Sequence, residues 1–257
     1  MFFEGWSLLK IRIVKTALKH ARTLIICFSA VISICVLTLI IVVTVGKSQN
    51  ALAPDNTGCG YDKTVVIDPG HGGIDGGAVG YGGVVEKGIN LAISLNLRSL
   101  FETAGYQVIM TREDDRSVHD EDSNTIREKK VTDIHNRAKL LSKYPKAIFI
   151  SIHQNKFEKA KFSGTQVFYS NNNDSGKLLA QFIQSNVKNL LQSDNNRVIT
   201  PAGKNLYILY HAKSPAVMVE CGFLSNPQEA ALLQDSSYQS KMAFAIFIGT
   251  LDYYSGY

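Results

Sequence analysis

From Lys63 onward, short apolar runs alternate with longer stretches in which apolar residues recur every third or fourth position. TVVID (64–68) predicts a strand. Behind it Ile89, Ile93, Leu97, Leu100, Phe101 and Ala104 form the stripe of a helix that buries one face. Gly105 can adopt the left-handed cap that ends such a helix. YQVIM (106–110) predicts a second strand, and the charged, aperiodic EDDRSVHDEDSN after it an exposed loop. A helix near 124–143 is expected to pack Val131, Ile134, Ala138 and Leu141 on one face. AIFISI (147–152) and GTQVFYS (164–170) predict two strands, and 175–191 a helix carrying Leu178, Leu179, Phe182, Ile183, Val187 and Leu190. LYIL (206–209) and AVMV (216–219) read as further strands, and 236–251 as a terminal helix. Strands alternating with helices imply an α/β class: a single domain with a twisted, largely parallel sheet of about six strands flanked by helices.

The region before Lys63 has a different pattern. Leu24 to Val45 is 22 residues without a charge, enough for a helix to span a bilayer. Five cations (Lys10, Arg12, Lys15, Lys19, Arg22) precede it and Lys47 follows, which orients the N-terminus toward the cytoplasm and the rest of the chain outside. The expected division is a basic cytoplasmic segment (1–23), a transmembrane anchor or uncleaved signal (24–45), a polar linker (46–62) and a folded domain (63–257). The competing reading is a cleaved signal peptide, with Ala51–Ala53 as the cleavage site.

Charge narrows the function. The chain is +5 overall, but six cations against Glu4 in the first 50 residues leave 21 basic and 21 acidic residues in the remainder. A near-neutral domain offers no basic surface for nucleic acid, so no such partner is expected. Cys27 and Cys35 lie in the apolar run, and the sequence leaves open whether Cys59 and Cys221 pair.

Three strand candidates end on chemistry: TVVID runs into Asp68-Pro69-Gly70-His71, AIFISI into His153, and AVMV into Glu220. Functional groups collect at the carboxyl ends of strands in open α/β sheets, so these side chains are expected at one rim. Eight of the fourteen residues from Gly70 to Gly83 are glycine, without a phosphate-loop or dinucleotide pattern. That composition suits a backbone that turns tightly beside an open site. Two histidines and a carboxylate are an accepted ligand set for catalytic zinc, with a further carboxylate free to move protons. Spacing alone leaves the third ligand open among Asp68, Asp75, Glu86 and Glu220.

The segments VVIDPGHGGIDGGA, VVEKGINLAISLNLRSLFETAGYQVIMTR, SIHQN and SPAVMVECGFLSN, in that order, resemble the zinc-dependent N-acetylmuramoyl-L-alanine amidases of the Amidase 3 type over residues 63–253. The resemblance implies one Zn2+ on His71, Glu86 and His153, Glu220 as the catalytic carboxylate, and Asp68 and Asp75 as residues that orient ligands. Arg112 is expected at the same rim, holding a peptide carboxylate or a backbone carbonyl, or else pairing with Asp114 or Asp115. Gln154 is expected to face solvent or touch substrate, with Asn155 beside it. His211 is read as structural, and His119 and His135 as exposed. The implied substrate is peptidoglycan, cut between the lactyl group of N-acetylmuramic acid and L-alanine. A minimal anchored domain is most similar to the spore-cortex amidases, which act before muramic-δ-lactam formation. That places the domain between the forespore and mother-cell membranes. A partner protein that orders the glycine loop would then act as an activator. The alternatives are a silent wall- or partner-binding domain and another zinc hydrolase of wall peptides.

Overall fold

A computed structural model describes residues 63–172 and 174–256. The expected anchor, the linker and Cys59 lie outside the described residues. Among those described, no helix is long and apolar enough to cross a membrane.

The elements run β1 (Thr64–Pro69), α1 (Glu86–Thr103), β2 (Gln107–Met110), α2 (Ile126–Ser142), β3 (Ile148–Asn155), β4 (Gln166–Tyr169), α3 (Asp174–Leu191), β5 (Thr200–Pro201), α4 (Tyr207–His211), β6 (Ala216–Phe223), α5 (Pro227–Gln234) and α6 (Ser236–Ser255). They build one six-stranded sheet in the order β2-β1-β3-β6-β4-β5. The first four strands are mutually parallel, β4 is antiparallel to β6, and β5 follows β4. The expected α/β architecture is present, with the reversed β4–β5 pair as its exception.

Alternation along the strands gives the sheet two unlike faces. Val65, Ile67, Ile150, Ile152, Val217 and Val219 point into a large core closed by α1, α3 and α6. Val66, Phe149 and Ala216 point the other way, into a smaller cluster with Leu141 of α2 and Leu209 of α4. Asp68, Ser151, His153 and Glu220 share the parity of this second set. The thinner cover leaves His153 partly exposed at the strand ends, while Asp68 and Ser151 stay buried beneath it.

Three expectations need correction. LYIL is helical, not a strand: Leu206, Leu209 and Ala212 recur at steps of three and pack on the smaller cluster, while Tyr207 and Tyr210 are exposed. The sixth strand is instead Thr200–Pro201, two residues that carry no readable period. In α2, Val131 and Ile134 are exposed, and the helix buries Arg137 alongside Leu141. The start of α2 is set by a capping box between Thr125 and Glu128.

Arg137 is buried because of what it holds. Its Nη1 donates to Asp68 Oδ1 at 2.6 Å and to the Pro69 carbonyl at 2.9 Å, and its Nε donates to Asp133 at 2.6 Å. Thr111 and Ser151 donate to the two Asp68 oxygens, each at 2.7 Å. Burial pushes the Asp68 pKa up, but Arg137 and the two hydroxyls outweigh it and hold it at about 2, against an ordinary 3.8. Because the folded-state value is the lower one, ionised Asp68 favours folding. Its contribution is complete above pH ~4 and disappears as the pH falls through 2. The free energy of urea unfolding is expected to drop by on the order of 2 kcal/mol from this group across that window, with a shallower slope in Asp68→Asn.

Candidate metal centre

β1 ends in a turn that places His71 at φ 63°, a left-handed conformation uncommon for a residue with a side chain. Arg137 Nη2 holds that turn by donating to the His71 carbonyl at 2.7 Å. Glycine is required at two neighbouring positions. A Cβ on Gly70 would run into the His153 ring, and Gly77 (φ 70°) faces both the Glu86 carboxylate and the His71 ring. The glycines thus bring backbone to within contact of the site, as their composition suggests.

Glu86 opens α1, where the helix dipole favours a carboxylate, and it is 3% exposed. Its Oε2 accepts the Ala78 N–H at 2.8 Å, and its Oε1 accepts the Gln154 N–H at 3.0 Å and Asn90 Nδ2 at 3.1 Å. Burial opposes its charge, yet His153 and His71 outweigh burial and hold the pKa below the usual carboxylate range.

His153 emerges from β3 with Nδ1 3.0 Å from Glu86 Oε1, and His71 Nε2 lies 3.2 Å from Glu86 Oε2. The two rings meet edge to face, 4.9 Å apart. The other nitrogen of His71, Nδ1, is 2.8 Å from Asp75 Oδ2, and Lys130 holds Asp75 Oδ1 at 2.9 Å. That contact makes Nδ1 the donor and leaves Nε2 turned toward Glu86. Burial disfavours a charged His71, but Asp75 and Glu86 overcome it and raise its pKa to about 9. A cation is therefore favoured between these groups.

The donor set fits a metal ion. His71, Glu86 and His153 each offer one ligand atom, all within 4.8 Å of one another. The two imidazole nitrogens flank the carboxylate, one at 3.0 Å from Oε1 and the other at 3.2 Å from Oε2, and two imidazoles with a carboxylate are an accepted donor set for zinc. Asp75 supplies the carboxylate–histidine support seen behind metal-bound imidazoles. Asp75→Asn is expected to weaken divalent-ion affinity by about 10- to 100-fold while leaving the fold intact, measured by chelator competition and circular dichroism.

Glu220 stands beside this set, in register with His153 across the β3–β6 pair. Its Oε2 is buried without a hydrogen-bond partner among the described residues. Burial raises its pKa to about 7; Glu86 adds to the rise, and His153 and His71 oppose it. A cavity of about 190 Å³ lies against His71 and His153, walled on its far side by Ile134, Leu206 and Tyr207.

The remaining candidates are placed as follows. Asp68 lies behind the site and acts on it through Arg137. Arg112 takes the second of its expected roles and holds backbone carbonyls, here those of its own chain at the end of β1. It is 2% exposed and donates to the carbonyls of Pro69, Gly70, Lys87 and Asp114, which fixes the loop of the first histidine. Gln154 does not face solvent: it is buried, its N–H supports Glu86, and its Nε2 reaches Asn90 Oδ1 at 3.2 Å. Asn155 contributes its carbonyl, which accepts the Leu224 N–H. His135 and His211 pack on Tyr207, and His119 contacts the Ser117 hydroxyl. Sequence reasoning missed Asn90, Lys130, Asp133 and Arg137. The last three carried a signal, a polar stripe spaced three and four apart along α2.

The N-acetylmuramoyl-L-alanine amidase family Amidase_3 matches residues 65–251. The chain is 36% identical over 193 residues to the germination-specific N-acetylmuramoyl-L-alanine amidase of Bacillus subtilis, covering 75% of this chain and 80% of that protein. Its fold resembles the CwlD amidase of Clostridioides difficile, solved in complex with the GerS lipoprotein, with a TM-score of 0.72 and 43% identity, over 75% of this chain and 98% of that one. It also resembles the AmiC2 amidase of Nostoc punctiforme, with a TM-score of 0.64 and 30% identity, over 76% and 98% of the two chains. With the family matched across nearly the whole described domain, the chain belongs to the Amidase_3 family of N-acetylmuramoyl-L-alanine amidases.

Proposed function

We propose that this protein is a zinc-dependent hydrolase of peptidoglycan that cuts the amide between the lactyl group of N-acetylmuramic acid and L-alanine. In this reading His71, Glu86 and His153 hold the ion and Glu220 carries protons. The observation that carries it is the position of Glu220: a carboxylate with a pKa of about 7 and one partnerless buried oxygen, in strand register with a histidine of the donor set.

When bound, zinc polarises the carbonyl and makes a water molecule acidic near neutral pH. The chain supplies everything else. Asp75 fixes the His71 tautomer, and the N–H groups of Ala78 and Gln154 with Asn90 Nδ2 lock the Glu86 carboxylate in place. Amide hydrolysis requires a proton to leave the attacking water and another to reach the departing nitrogen. A carboxylate whose pKa burial raises above the ordinary range serves both steps, as base and then as acid. Ile134, Leu206 and Tyr207 line one side of the cleft beside His71 and His153.

The likeness to a germination-specific amidase supports a place in spore-cortex maturation, where removal of stem peptides precedes muramic-δ-lactam formation. In this proposal Leu24–Val45 anchors the chain and holds residues 63–257 on the wall side of the membrane, in the space between forespore and mother cell. The CwlD–GerS complex supports a protein partner, and the glycine-rich loop carrying His71 is the segment such a partner would order. The test is mass spectrometry of sacculi digested by the full chain with zinc. Stem peptides with a free L-alanine amine, released from unshortened glycans, are expected. Cleavage within the peptide or loss of acetyl groups would overturn the reading.

A further inference from the structure

Arg112 is spent on four carbonyls of its own chain, so a cation for a substrate carboxylate must come from elsewhere on the rim. Gln166, at the start of β4, stands opposite Glu220 in the antiparallel β4–β6 pair, so their side chains leave the same face as neighbours. Gln166 Oε1 accepts from Arg197 Nη1 at 3.1 Å, and Arg197 Nε donates to the Ser163 carbonyl at 2.7 Å. The guanidinium lies 4.3 Å from the centroid of the Phe223 ring and 5.9 Å from that of Phe162. Asn195 holds the Arg197 backbone by accepting its N–H at 2.9 Å.

This fork is set before any ligand arrives, and its Nη2 donates to no group among the described residues. It opens on a cavity of about 550 Å³ lined also by Lys161, Phe162 and Asn195. Glu229 and Asp194 line the same cavity; Glu229 accepts the N–H groups of Gly164 and Phe223, at 2.9 and 2.7 Å, and Arg197 favours its charge without a direct hydrogen bond, so the Nη2 edge of the guanidinium is left for a ligand. Opposed strand residues are about 5 Å apart, and a glutamine side chain with its hydrogen bond adds about as much again. The cation thus sits roughly 10 Å from the place of Glu220 in the sheet. That is the reach of two to three residues of extended peptide at ~3.4 Å each.

We propose that Arg197, backed by Phe223 and assisted by Lys161, binds a free carboxylate of the stem peptide two to three residues from the scissile amide, and so sets specificity on the peptide side. The inference rests on the amidase reading. Of the two halves of that substrate, the sugars are uncharged once the lactyl carboxyl is in the amide, whereas the stem peptide carries free carboxylates. A planar guanidinium stacked on an aromatic ring is the side chain best matched to a carboxylate, through two parallel hydrogen bonds.

The experiment uses the full chain with zinc and a pair of soluble muropeptides. They are identical except that the stem carboxylates are free in one and converted to carboxamides in the other. Wild type is expected to favour the carboxylate form by 10-fold or more in kcat/KM, mostly through KM. R197Q is expected to cleave the two forms with equal kcat/KM, and R197K to recover part of the preference. Equal use of both forms by wild type, or an undiminished preference in R197Q, would overturn the subsite and leave the amidase reading standing. Where R197Q fails to fold, R197K carries the assignment: a preference reduced below that of wild type supports Arg197, and an undiminished one overturns it. Failure to cleave either form would remove the amidase reading, and the subsite with it.

Discussion

E220Q is expected to keep its metal and lose its turnover. The substitution preserves shape and removes only the capacity to exchange a proton. Because Glu220 is in register with His153 but outside the His71–Glu86–His153 group, zinc content per chain should match wild type. The loss in kcat should be about 100- to 10,000-fold, the range ascribed to a positioned acid–base group. Thermal stability should be equal or higher, since the variant removes a carboxylate whose Oε2 has no partner. Zinc content, melting temperature and release of free L-alanine amine, measured on one preparation, separate the alternatives. Lost metal would make Glu220 a ligand, and normal turnover would remove it from the mechanism.

His153→Ala is expected to lose both. The imidazole is one of three ligand groups, and one Glu86 oxygen lies 3.0 Å from its Nδ1. Two remaining ligands do not hold zinc against dilution, so metal content should fall from one per chain to near zero and activity to background. The fold should survive: Ile148, Ile150 and Ile152 keep β3 anchored in the large core, and the lost ring is partly exposed at the rim. Circular dichroism with metal analysis checks this. Stoichiometric zinc in the purified variant would contradict the ligand role. The contrast between the two variants, one metal-loaded and inactive, the other metal-free and inactive, divides the site into a binding part and a proton-moving part.

Much of this site was legible in the sequence because it sits where strands end. In an apolar run buried on both faces an unpaired polar side chain is costly, so His71, His153 and Glu220 were expected together where the strands end, and Asp68, which stays inside β1, is held by Arg137. Glu86 was not legible that way. It lies at the first turn of α1 and reaches the site through tertiary contacts with Ala78, Asn90 and Gln154; only the family resemblance identified it. Gln154 was misplaced because an amide side chain near a rim reads as exposed, and the sequence could not choose among the roles open to Arg112. Here the glycine loop leaves bare carbonyls that Arg112 must satisfy, and the Glu86 carboxylate needs the donors around it. Arg137 was hidden by its helix: the face expected to be apolar at Val131 and Ile134 is solvent-exposed, and the buried position belongs to a cation that neutralises Asp68. LYIL misled for a simpler reason, since four apolar residues fit a strand or one helical turn equally well.

The tests so far depend on where the ion sits, and X-ray absorption at the zinc edge of the full chain observes that directly. The expected spectrum has two imidazole nitrogens and carboxylate oxygen at about 2.0–2.1 Å, with no sulfur, in a sample with one zinc per chain. Sulfur in the coordination sphere, or a spectrum with fewer than two imidazoles, would contradict the placement of the ion on His71, Glu86 and His153.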